Sequence, residues 1–136
     1  MEAKTIIIDG KGAVFGRLCS FVAKRALEGN EVIVINSENV VITGNKKDII
    51  EKYRSISQKG GHSLKGPKYP KISYQMLKRG MRGMLPDFRG GQGKLAFKKI
   101  TCYDRFPKEF EDKKIIKIRA SKKSKYIELK ELLTKI

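Results

Sequence analysis

The chain has 136 residues, 40% of them apolar, and carries 31 Lys and Arg residues against 14 Asp and Glu residues, a net charge of +17. This length and apolar content allow a substantial core, which excludes a globally disordered chain and predicts one domain over residues 1–136. So large a positive charge favours nucleic acid or an anionic membrane surface as the partner.

The amino-acid composition gives little support for zinc binding, disulfide formation or membrane insertion. Cys19 and Cys102 stand alone in apolar contexts, and His62 is the single histidine, so no zinc ligand set is predicted. We interpret the two thiols as small buried hydrophobes in a reducing compartment. No apolar run approaches the length of a membrane span and no signal peptide is recognisable, so we expect a soluble, intracellular protein without a membrane partner.

The first third of the chain predicts a strand, a helix and a second strand. A β-branched run at 5–9 ends at Asp9-Gly10, and another follows at 32–36. Between them, apolar residues recur with the helical period from Val14, and Gly29 follows as the expected C′ glycine of the helix. A βαβ unit of this length predicts that the two strands are parallel neighbours.

Shorter elements follow. We predict a strand at 40–43, antiparallel to the second strand if both lie in one sheet, because only four residues separate them. Asn45 is predicted to cap a second helix and Ser73 a third. A fourth helix is predicted at 94–99, leading into a last strand of the sheet at 100–103.

After Pro107 the pattern weakens, so we divide the domain into a core at 5–104 and a C-terminal tail at 105–136. An alternating Ile-Ile-Lys-Ile piece in this tail suggests a short edge strand, and the leucines near its end suggest a short helix that docks on the core. The predicted fold class is α/β: a three-layer α/β/α arrangement with a small, mostly parallel four-stranded sheet and helices on both faces.

The positive charge is concentrated in the middle of the chain. Residues 1–45 are neutral overall, whereas residues 46–99 hold fifteen basic and three acidic residues, a local net charge of +12. Within them, the stretch 78–99 has seven Lys or Arg residues, five Gly residues and a single acid, Asp87. Like charges in such number repel one another, so this stretch predicts a polyanionic partner.

An enzyme is the weaker interpretation. The pattern Gly10-x-Gly12-x-x-x-Gly16 after a strand resembles a dinucleotide fingerprint, but Phe15 occupies the place of the third glycine. The second strand ends at Asn36, where a ribose-binding acid is needed, so a tight turn and close packing explain the glycines better. His62 has no evident catalytic partner, and we predict no cofactor, no small-molecule substrate and no reaction.

The sequence contains the basic side chains, Gly-rich loops and aromatic residues that RNA binding requires. Lys78, Arg79 and Arg82 fall on one face of the third predicted helix, and Gly-rich basic loops at 58–72 and after this helix can follow a phosphate backbone. Three aromatic residues are interleaved with these charges and are candidates for stacking on unpaired bases: Tyr69, Tyr74 and Phe88. For Tyr74, packing in the core is an equally good explanation.

Three spaced motifs, at 12–24, 34–45 and 82–86 (Arg-Gly-Met-Leu-Pro), resemble the thirteenth protein of the large ribosomal subunit, the universal L13 family. Gly66-Pro67-x-Tyr69-Pro70 is similar to the archaeal and eukaryotic branch of that family. The resemblance covers 5–104, and the chain departs from it where family members often have Ala (here Ser37) and where Leu is usual (here Phe15).

The resemblance implies an α/β/α fold, a place in the cytoplasmic ribosome, binding to large-subunit ribosomal RNA beside neighbouring ribosomal proteins, and a structural role without catalysis. A free-standing RNA-binding regulator is the alternative, and a small nucleotide-dependent enzyme is a third hypothesis. The resemblance and the charge pattern together predict these RNA-contacting residues: Arg54, Lys59, His62, Lys65, Lys68, Lys71, Lys78, Arg79, Arg82, Arg89 and Lys94.

Overall fold

A four-stranded parallel sheet forms the centre of the fold. The computed structural model describes residues 4–58, 72–87, 89–110, 113–118 and 125–135. The strands of the sheet are β1 (Thr5–Asp9), β2 (Glu31–Ile35), β4 (Ile100–Cys102) and β5 (Ile115–Lys117), in the spatial order β4-β2-β1-β5. The predicted α/β class, the parallel β1–β2 pair and the short edge strand in the tail are confirmed.

Strand β3 (Val41–Thr43) does not belong to this sheet, so the antiparallel pairing with β2, expected if both strands lay in one sheet, does not form. It pairs antiparallel with β6 (Tyr126–Glu128) in a separate two-stranded sheet. The chain leaves β2 at Asn36, which has a left-handed backbone (φ 56°), and the 3-10 turn Ser37–Asn39 then redirects it. The fourth strand of the main sheet is β5.

Five α-helices are described: α1 (Phe15–Leu27), α2 (Lys46–Ser57), α3 (Ser73–Gly83), α4 (Gly91–Lys98) and α5 (Leu129–Lys135). Helix α4 therefore begins three residues before its predicted start. The predicted Asn45 cap is confirmed, since its Oδ1 accepts from the Lys47 N–H at 3.0 Å. The predicted Ser73 cap is wrong: Ser73 is already helical, and Asp104 Oδ1 accepts the Tyr74 N–H at 2.9 Å instead.

The two faces of the sheet are covered differently. Alternation along the strands sends Ile8, Val34 and Cys102 into one cluster with buried residues of α1, α3, α4 and α5. Ile7, Ile33 and Ile35 point the other way, and among the described residues they pack with Phe110, which lies on the 3-10 helix Lys108–Phe110. Among the described residues, the α-helices therefore pack on one face, and the second outer layer of the predicted three-layer arrangement is formed by a 3-10 helix in place of an α-helix.

Candidate nucleic-acid interface

Helix α3 is held against α1 by a close contact at Gly80. A Cβ built at Gly80 would lie 2.7 Å from the Phe15 ring and 3.2 Å from Cys19 Sγ, so a larger residue here would require the Phe15 ring to move. Met76, Leu77 and Met81 of α3 are buried in the core. The inward side of the helix is thereby fixed, and its opposite side is left at the surface.

That outer side carries three of the predicted contact residues. Lys78, Arg79 and Arg82 are half-buried on α3 and line a groove of about 400 Å³ between α3 and α4. Tyr74, Gln75 and Phe97 complete the lining, and Lys78 Nζ lies 4.9 Å from the centroid of the Phe97 ring. The structure therefore brings cationic, aromatic and amide groups together at one place.

The 82–94 segment, which follows α3 and enters α4, is anchored to the fold near both ends. Leu85 is buried, and its N–H donates to the Arg82 carbonyl at 3.2 Å. The Gly90 N–H donates to the carbonyl of Asp87, whose φ is 39°. At Gly93, a Cβ would overlap the carbonyl oxygen of Pro86, so the two stretches of main chain are in direct contact.

Arg89 and Lys94 lie exposed on this anchored segment. Helix α4 begins beyond Gly90, and its first turn contains no acidic residue, so the positive end of the helix dipole is added to the charge of Lys94. Lys99, at the other end of α4, donates to the Gly29 carbonyl at 3.2 Å. The 82–94 segment thus continues the basic surface beyond the groove.

The remaining predicted contact residues do not join this group. Arg54 is exposed on α2, and its Nη2 donates to the main-chain carbonyl of Lys135, at the end of α5. The side chains predicted from the loop at 58–72 lie outside the described residues: Lys59, His62, Lys65, Lys68 and Lys71. Tyr69 and Phe88 lie outside them as well.

Both cysteines are structural. Cys19 and Cys102 are unpaired and buried, as predicted, and each lies close to α3, at the Leu77 carbonyl and the Met81 sulfur respectively. Burial raises the pKa of each thiol from 9.0 to about 12, so neither is a thiolate nucleophile near neutral pH. Within the described part of the chain, no group of His, Cys, Asp or Glu side chains is arranged to hold a metal ion.

Two glycines after β1 have separate structural reasons, close packing at Gly10 and a positive φ at Gly12. A Cβ at Gly10 would lie 2.9 Å from Val40 Cγ2 and 3.0 Å from the Ile35 carbonyl oxygen, while Gly12 has φ of 76°. These contacts agree with the predicted tight turn.

Across the same described ranges, no helix combines the length and apolar character that crossing a bilayer requires.

Sequence reasoning missed three residues that build the site. Phe97 lines the groove, Asp104 caps α3, and Gly93 sets the distance between α4 and the preceding turn. Each acts through a partner distant in the chain or across a turn, so local periodicity contains no signal for the first two. Gly93 lies one residue before the predicted helix at 94–99, so the pattern did not mark it as a glycine within a helix, where close approach of another backbone would be the expected reason.

Comparisons with known proteins find relatives that match most of the chain. A family model described as ribosomal protein L13 matches residues 3–109. Large ribosomal subunit protein uL13 of Methanocaldococcus jannaschii is 42% identical over 130 residues, which cover 93% of this chain and 93% of the relative. The protein of the same name from Methanosarcina barkeri is 38% identical over 136 residues, 96% of each chain. That from Thermoplasma acidophilum is 41% identical over 112 residues, 82% of this chain and 81% of the relative.

Proposed function

The chain belongs to the ribosomal protein L13 family, in its archaeal branch, and from this membership we propose that it is a structural constituent of the large ribosomal subunit. In this role it resides on cytoplasmic ribosomes and is not an enzyme. Its partners there are large-subunit ribosomal RNA and neighbouring ribosomal proteins, and its binding supports assembly of the subunit and translation.

We propose further that the RNA-binding surface is formed by the outer side of α3 and by the 82–94 segment. The observation that carries this proposal is the convergence of Lys78, Arg79 and Arg82 on one groove beside two aromatic rings. Cations at this density neutralise phosphates and release counterions, which is the main electrostatic source of RNA affinity. Arg89 and Lys94 extend the surface along an anchored backbone, so little ordering of this segment is required on binding.

The remaining predicted contacts belong to a second part of the same proposal. The loop at 58–72 precedes α3 in the chain, and from its charge pattern and the family resemblance we assign Lys59, His62, Lys65, Lys68 and Lys71 to RNA contact. Arg54, at the α2–α5 junction, belongs to a different region of the surface. Its assignment to RNA contact therefore requires either an extended RNA footprint or a second RNA segment.

Sedimentation of a cell lysate tests the ribosomal role. We expect the protein in the large-subunit and whole-ribosome fractions of a sucrose gradient at moderate salt, in constant ratio to the large-subunit RNA. A protein found mostly at the top of the gradient would instead support the free-standing RNA-binding regulator. Stripping the ribosomes in high salt is the control, because an electrostatically bound protein should then be released.

A further inference from the structure

We propose that the groove between α3 and α4 binds one unpaired nucleotide of RNA, with its base against the rings of Phe97 and Tyr74 and its phosphate near Lys78. The inference rests on the proposed RNA-binding function and specifies the kind of RNA segment that this surface recognises. An unpaired nucleotide here means one in a loop, a bulge or a single strand.

The position of Lys78 indicates that one face of Phe97 opens into the groove. Its ammonium group lies 4.9 Å from the ring centroid, and an ammonium group is not placed over a ring face that is sealed in an apolar core. Phe97 is half-buried, so one part of it packs on the core while the other faces the groove. Because this ammonium lies over the ring, a base that stacks on Phe97 takes its place, and the Lys78 side chain then moves aside to the phosphate of the nucleotide.

The size of the groove favours a single nucleotide over a helix. The groove is open and shallow, with a volume of about 400 Å³, so it has room for one base lying against the ring and does not enclose it. Paired bases in an A-form helix present their edges in the grooves and keep their π-faces stacked, so a ring in a recess cannot reach those faces. An unpaired base can turn into the recess and bury one face against an aromatic side chain.

The other groups of the groove suit this ligand. The exposed amide of Gln75 offers both a donor and an acceptor to a base edge. Asp104 Oδ1 accepts the Tyr74 N–H at 2.9 Å at the start of α3. Lys78, whose ammonium group lies over the Phe97 ring, is the groove cation placed to meet the phosphate.

Phe97→Leu tests the proposal, because it retains an apolar side chain and removes the π-face. One RNA probe is a 12-nucleotide oligoadenylate carrying a single 2-aminopurine, whose fluorescence reports stacking, and the other is a blunt 12-base-pair duplex. We expect oligoadenylate affinity to fall about 5- to 150-fold, as for loss of a stacked base, with less than a twofold change for the duplex. Phe106→Leu, on an exposed aromatic residue outside the groove lining, is the matched control and should change neither.

Equal reductions in affinity for both probes, or no reduction for either, would overturn the base site. Binding of adenosine monophosphate as tightly as oligoadenylate would also overturn it, because the groove would then take free mononucleotides. Tyr74→Leu provides the same comparison if Phe97→Leu does not fold. If the wild type co-sediments with the large subunit but the Phe97→Leu variant binds both probes as tightly as the wild type does, the ribosomal function stands. Only the unpaired-base site is then ruled out.

Discussion

Replacing Gly93 by alanine tests how the 82–94 segment is held against α4. A Cβ at this buried position would overlap the Pro86 carbonyl oxygen and lie 2.9 Å from the Asp87 carbonyl oxygen. Main-chain atoms cannot rotate away as the end of a side chain can, so the two stretches must move apart. Overpacking costs about 1–3 kcal/mol, and the overlap with backbone places this site toward the upper end. Alanine recovers at most about 1 kcal/mol of helix propensity, which leaves a net destabilisation of about 2 kcal/mol.

Gly83→Ala is the matched control for this substitution. Gly83 is an exposed helical residue of α3, and a Cβ there would meet no atom within 4 Å. Alanine should therefore stabilise the protein by about 0.4–1 kcal/mol. With a urea m-value of about 2 kcal/mol/M, the unfolding midpoint should fall by about 1 M for Gly93→Ala and rise by up to about 0.5 M for Gly83→Ala. A Gly93→Ala midpoint equal to that of the wild type would refute the contact between the turn and α4.

Further predictions concern the core, the cap of α3 and the thiols. Leu18→Ala, at a side chain with 0% exposure, should cost about 2–5 kcal/mol in urea unfolding, whereas Leu95→Ala, at 61% exposure, should cost little. Asp104→Ala should cost about 0.5–2 kcal/mol by the same assay, and Asp104→Asn should recover much of that stability, because its amide oxygen can still accept the capping N–H. Because the pKa values of Cys19 and Cys102 are raised from 9.0 to about 12, their contribution to stability is complete below pH 9 and declines as pH rises toward 12. A double Cys→Ala variant should therefore lose less stability than the wild type between pH 8 and pH 10, and an equal decline in both would contradict burial of the thiols.

Local patterns predicted the elements whose formation depends on local interactions. The β1–α1–β2 unit followed from two β-branched runs and one helical stripe, and Gly29 marked the end of α1 because its φ is 97°. The Asn45 cap followed from a side chain two residues from the N–H it accepts. In these cases the causes of the structure lie within a few residues of one another.

The predictions differ from the structure where the deciding contacts join residues that are far apart in the chain. The strand at 40–43 pairs with β6, which lies more than eighty residues further along the chain, and the left-handed Asn36 that turns it away is not visible in a hydrophobic pattern. Ser73 has the right side chain for a cap, but Asp104 reaches the same helix end from another element.

In the candidate site, too, local sequence patterns predicted some residues, while others are brought in only by the packed fold. Helical periodicity placed Lys78, Arg79 and Arg82 on one face of α3, and the structure brings them together on one groove. The ring of Phe97 reaches that groove because α4 packs beside α3, at a separation of nineteen residues from Lys78. A charge pattern therefore predicts a basic surface, while the aromatic component of the surface requires the packed fold.

The central claim, that the outer side of α3 and the 82–94 segment bind ribosomal RNA, is tested most directly by a salt titration of binding to a large-subunit RNA fragment. Arg82→Gln and Lys94→Gln should each flatten the slope of log affinity against log salt by about 0.7–0.9 for each phosphate that the protein no longer neutralises. Lys24→Gln, at an exposed position on α1, is the matched control and should leave the slope unchanged, provided each variant unfolds at the wild-type midpoint. If Lys24→Gln flattens the slope as much as Arg82→Gln does, the RNA surface extends over α1 and the assignment to α3 and the 82–94 segment is wrong.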